Sequence, residues 1–326
     1  MPQPYDLKTI LLDKVNAQGG FVNCHAHFDK AFLINEQNLK QSQMDMEAKW
    51  HLYKELKQNY TPEDLRARIR EGMNRMVAQG VKYVRSFIDV DSTVGLKCLE
   101  AALEIKKEFK GKCELIIVSQ TLEGVVKPES RQWIEQAAPL VDVIGGLPSY
   151  DRPVPGEHLD IIFELAKKYG KQVDVHIDQE NNPDERDTEL LAKKVIEHGL
   201  QGRVNAVHVI SLSAQPEDYF QHVLKLMVEA QLNVICCPGA ALGMKQLRDK
   251  TAPVHNSIAR VPEFLAAGLT VAIGTDNIHD FFQPFIEGDL YTEARMLMEG
   301  CRFYDLDAVA AICSTNGLKL CQGALN

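Results

Sequence analysis

The sequence has no surplus of positive charge. Its 36 Lys and Arg residues are outnumbered by 45 Asp and Glu, for a net charge of -9. A protein that binds phosphate backbones needs a basic footprint, so nucleic acid is excluded as an expected partner. No apolar run approaches the roughly 18 residues that suggest a membrane-spanning helix. Nothing at the start has the charged, apolar and small-residue order of a signal peptide. The eight cysteines include no Cys-x-x-Cys pair and follow no framework spacing. A disulfide scaffold is therefore not expected, and reduced thiols in a cytoplasmic protein are. No segment is low in complexity, and none is rich enough in Pro, Gly or Ser to mark a linker.

What the chain does have is ordinary globular composition, 45% hydrophobic and 25% charged over 326 residues. That is enough for one large barrel or two medium domains. Residues 1–20 show little pattern and read as a leading arm. A short apolar run at Phe21-Val22 ends in His25-Ala26-His27. A long excursion follows over 28–60, of a length that usually serves as a lid or pocket wall. Thr61-Pro62-Glu63-Asp64 then opens a helix, with Thr61 as N-cap and Pro62 in the first turn. From there strand-like and helix-like runs alternate. Strands are expected at 81–88, 113–118, 141–144, 173–175, 204–207, 233–235 and 270–273. Helices are expected between them and over 291–300 and 306–320. With the first run, that makes eight βα repeats, which imply a parallel sheet closed into an α/β (β/α)₈ TIM barrel, a single unit over 1–326. An open doubly wound sheet would want Gly-x-Gly-x-x-Gly after the first strand, where His-Ala-His stands.

In such a barrel, chemistry collects at the C-terminal strand ends. Those positions hold His27, Asp89, Gln120, His176, His208 and Asp276. Residues two apart on a strand share a side, so His25 and His27 can face one ion. Three imidazoles with a carboxylate suit one divalent metal ion, Zn or Fe. Two roles fit His208, completing the metal shell or stabilising an oxyanion. Asp89 fits a residue that orients a histidine, or a capping or ion-pair role at a strand end.

These residues resemble the amidohydrolase superfamily, from Gly20 to about Leu320. The runs His27-Phe28-Asp29-Lys30-Ala31-Phe32, Val173-Asp174-Val175-His176-Ile177-Asp178 and Asp276-Asn277-Ile278-His279-Asp280-Phe281-Phe282 are similar to its cytosine deaminase-like branch, alkylamine-releasing members included. The resemblance implies a metal-dependent hydrolase that removes an amine from a nitrogen heterocycle. It implies His25, His27, His176 and Asp276 as metal ligands and His208 as a catalytic histidine. Gln120 would hydrogen-bond the substrate ring, Phe282 would pack against it, and Gln179 and Asn277 would bind it. Lys30 matches a lysine held near the metal.

Three departures qualify the template. Gly145-Gly146 stand where two-metal members carry a bridging Lys or acid, which favours one ion. Gln179 replaces a proton-shuttling Glu, so Lys30 and Asp178 are expected to share proton transfer, with the pKa of Lys30 lowered beside the cation. Too few residues flank the barrel for the family's usual β-sandwich, which is expected to be absent. The partner is a small-molecule substrate, and a homo-oligomer is possible. The alternatives to heterocycle deamination are hydrolysis of a cyclic or acyclic amide and a non-catalytic, metal-binding relic of the fold.

Overall fold

The computed structural model describes residues 3–325. The alternating runs of β-branched residues form eight strands. These are β1 Val22–Ala26, β2 Tyr83–Asp89, β3 Glu114–Gln120, β4 Val143–Gly146, β5 Gln172–Ile177, β6 Val204–His208, β7 Asn233–Cys236 and β8 Val271–Ile273. All pair in parallel and in chain order. The ring closes between β8 and β1 through a seam of few bonds. Just past β8, Asp276 N donates to His25 O at 2.9 Å. The Asn23 side chain donates to Thr275 Oγ1 at 2.9 Å and accepts from Thr275 N at 3.2 Å. Gly274 permits this approach, since a Cβ there would lie 2.5 Å from that of His25.

Two apolar layers hold the barrel. Inside, Phe87, Val118, Val143, Val207 and Ile235 fill the lumen. Outside, helix faces such as Leu65, Ile69 and Met73 of Pro62–Ala78 pack on Val84 and Ile88 of β2. Each such side chain contributes about 1.5–3 kcal/mol by leaving water. The Thr61 cap is made, with Oγ1 accepting from Asp64 N at 3.2 Å.

Several elements differ from the sequence expectation. The leading arm contains the helix Leu7–Ala17, capped by Asp6, whose buried face is only Leu11 and Val15. Two residues make too narrow a stripe to read as periodicity. The long first connection contains the helix Met46–Lys57, capped by Asp45. Pro128–Ala137 is a further helix with a short buried face. The stretch over 306–320 splits at Ser314 into Leu306–Cys313 and Thr315–Leu325. Among the described residues, no helix is long and apolar enough to cross a membrane.

Candidate active site

The C-terminal ends of the strands bring the first-run histidines together with residues more than 140 positions away. His25 Nε2 lies 3.1 Å from Asp276 Oδ1, and His27 Nε2 lies 3.2 Å from the same oxygen. His27 Nε2 is 3.2 Å from both His25 Nε2 and His176 Nε2. His208 joins His25 and His176 in a second triad of convergent nitrogens. The Nδ1 atoms of all four histidines are buried without a hydrogen bond among the described residues, and in His25, His27 and His176 the converging nitrogen is Nε2. Ligand atoms about 2.0–2.2 Å from one zinc-sized ion lie roughly 3.0–3.5 Å apart. The observed spacings fit that donor set.

The electrostatics suit it as well. Burial holds the four imidazoles below their ordinary range and so neutral. Burial alone would raise the Asp276 carboxyl, but its bonds to His25 and His27 hold it well below the usual carboxylate range. Oδ2 of Asp276 makes no hydrogen bond to the described residues, and Asp276 lines the pocket. The chain reaches these positions through uncommon backbone. Asp276 has φ 60°, His208 φ 78° and Val209 φ 55°, left-handed values that cost on the order of 1 kcal/mol or more for non-glycine residues. At the end of β4 the spacing forbids a further ligand. A Cβ on Gly145 would sit 1.8 Å from Ser119 O.

A cavity opens above this cluster. Gln120, Lys30, Gln179, Asn277 and Phe282 line it, with His27, His176 and Asp276 at its base. Its apolar wall is Met46, Trp50, Leu122, Leu147 and Met244. The sequence reading expected a lid or pocket wall from 28–60 without assigning Met46 or Trp50 a place in it, and it missed Leu122, Leu147 and Met244. Met46 and Trp50 belong to the unforeseen helix Met46–Lys57, and the others stand on loops with no periodicity to mark them.

The structure changes one expectation. β5 ends at Ile177, and Asp178 turns away with φ 49°. Its carboxylate accepts from Asp187 N and Thr188 N at 3.2 and 3.1 Å, and it lines an adjoining cleft rather than the main cavity. Alternation along the strand fails once the strand ends, so Gln179 enters the cavity instead. Lys30 does face the cavity, and acidic neighbours surround its ammonium. Burial would lower its pKa, yet Asp29 at 3.2 Å and Asp89 at 2.8 Å raise it above its ordinary value. Asp89 serves this ion pair and not a histidine; it also receives Lys57 at 3.1 Å.

Residues 19–322 match the amidohydrolase family. An uncharacterized protein of Haemophilus influenzae is 34% identical over 262 residues, covering 79% of this chain and 95% of that one. The N-isopropylammelide isopropyl amidohydrolase of Pseudomonas sp. (strain ADP) is 29% identical over 294 residues, 85% of this chain and 68% of that one. Among solved structures, 5-methylcytosine deaminase from Klebsiella pneumoniae liganded with 5-fluorocytosine superposes with a TM-score of 0.85 at 26% identity. It covers 92% of this chain and 74% of that chain.

Proposed function

We propose, from the premise that the chain belongs to the amidohydrolase family, that it hydrolytically removes an amine from a nitrogen heterocycle. The observation that carries this reading is the geometry at the cavity base. Four ligand atoms converge there, with the free Oδ2 of Asp276 beside a cavity whose polar groups are amides and an ammonium. His25, His27, His176 and Asp276 would hold one divalent ion, zinc or iron. Such an ion lowers the pKa of a water from 15.7 to about 7 and so supplies a nucleophile at neutral pH.

The protein groups divide the remaining work. Asp276 Oδ2 takes the proton of the attacking water and passes it to the leaving nitrogen. His208, neutral and opposite Asp276, donates to the oxygen on which negative charge develops. Lys30 keeps its proton and acts as a fixed cation beside the ring. Met46, Trp50, Leu122 and Leu147 exclude water, and Phe282 packs on the ring face. Gln179 supplies a hydrogen bond where a Glu would cycle a proton. That favours a second reading, hydrolysis of a cyclic amide, whose leaving group stays tethered. The names of the similar proteins, an isopropyl amidohydrolase and a deaminase, support an amine as leaving group.

Metal analysis combined with amine release across aminopyrimidines, aminotriazines, pterins and cyclic amides tests the proposal. Turnover of a ring amine is the expected result. About one equivalent of metal with no turnover of any member would instead indicate a binding relic.

A further inference from the structure

Two amide side chains line the cavity, and charged partners pin them in opposite senses. Gln120 Oε1 accepts from Lys30 Nζ at 3.3 Å. An ammonium has only donors, so the oxygen of Gln120 must face Lys30 and its NH₂ is left for the cavity. Asn277 Nδ2 donates to Asp280 Oδ2 at 2.6 Å. An ionised carboxylate has only acceptors, so the NH₂ of Asn277 must face Asp280 and its oxygen is left for the cavity. Neither free end makes a hydrogen bond among the described residues, and neither is a buried orphan.

Asp280 does not touch the cavity, and four donors hold it. Tyr53 OH donates to Oδ2 at 2.6 Å, and Phe282 N and Gln283 N each donate to Oδ1 at 2.9 Å. Asn277 is the fourth. Tyr53 and Asp280 are completely buried. The Tyr53 ring also stacks on Phe282 at 5.0 Å and 5°. Tyr53 belongs to the helix Met46–Lys57, so the first connection of the barrel reaches across to lock a residue of the eighth.

We propose that Asp280, held by Tyr53, is a positioning residue that fixes Asn277 as a hydrogen-bond acceptor. With Gln120 fixed as a donor, the cavity then selects rings that present an N–H donor on one edge and an acceptor on another. This rests on the heterocycle reading above and narrows it to lactam or amidine rings, as against fully N-alkylated ones. A donor or acceptor that the ligand covers and leaves unpaired costs roughly five- to 150-fold in affinity.

The test is equilibrium binding to the metal-loaded enzyme, with uracil and cyanuric acid against 1,3-dimethyluracil and trimethyl isocyanurate. Wild type is expected to bind each N–H ring at least tenfold more tightly than its N-methyl partner. Asp280→Asn can offer an NH₂ or an oxygen to Asn277, so Asn277 is no longer fixed. The ratio should fall at least threefold there with metal content unchanged. Tyr53→Phe keeps the stacked ring, loosens Asp280 and should lower the ratio by a smaller factor. A purely structural role would weaken both rings of a pair equally and leave the ratio intact. An unchanged ratio in both variants, or a ratio near one in wild type, overturns this assignment and leaves the heterocycle reading standing. Failure of wild type to bind any of the four rings while it still releases amine from a ring substrate overturns this assignment alone; failure of both binding and turnover overturns both.

Discussion

Lys30 keeps its charge in a fully buried position because Asp29 and Asp89 face it. In the proposed reaction a cation so placed would act on the substrate as a fixed charge. Lys30→Met is expected to lower kcat by about 10² or more with metal content unchanged, read by steady-state kinetics beside metal analysis. Wild-type kcat in that variant would remove Lys30 from the reaction. Glu293 is the opposite case. It is buried, its one hydrogen bond among the described residues is from Gly239 N at 2.7 Å, and burial pushes its pKa up to about 8. Between the ordinary Glu value and about 8 the folded state holds a proton that the unfolded state has released. Stability from this group is therefore complete at acid pH and declines as pH rises through that window. Against Glu293→Gln, wild type should lose on the order of a few kcal/mol between about pH 5 and pH 8. Parallel stability curves in urea would refute it.

The helix Met46–Lys57 is anchored at two points, which makes it a wall and not a flap. Tyr53 binds Asp280, and at the end of the helix Lys57 binds Asp89 and Asp91 without reaching solvent. Removing one partner of a buried pair leaves uncompensated charge, a loss of roughly 3–5 kcal/mol. Lys57→Met should therefore destabilise the fold by that order in chemical denaturation. Arg70 pairs with Glu108 at 2.8 Å on the surface, where such a pair contributes about 1 kcal/mol or less. Arg70→Ala should change little. Equal effects of the two would contradict the burial argument.

At the scale of the molecule, the proposed ligands come from β1, β5 and the end of β8. They span the β1–β8 seam, where side chains of Asn23 and Thr275 replace much of the ladder. An ion bound there stabilises the folded state by mass action and ties the seam shut. Chelation should lower Tm and speed amide exchange at Thr275 and Asp276 well before that of the β2–β3 pair, which is bonded along its whole length. His25→Ala should reproduce both effects and lose metal and activity together. Full metal content in that variant would sink the ligand assignment.

Local chemistry alone determined the barrel and which polar residues stand at its strand ends. Eight apolar runs spaced by amphipathic ones leave few closed arrangements, and His25-Ala26-His27, His176, His208 and Asp276 each stand where a strand runs out. Gln120 was legible as a strand-end residue, whereas Gln179, Asn277 and Phe282 were expected only from the resemblance to the amidohydrolase superfamily. What tertiary structure decided lies where the repeat stops. The direction of Asp178 depends on one left-handed residue after β5, which no alternation rule carries through. The charge state of Lys30 depends on Asp89, 59 positions away, and the polarity of Asn277 on Tyr53, more than 220 away. Hydrogen-bond polarity and pKa are set by whichever groups folding brings within about 3 Å, and sequence spacing does not encode that distance.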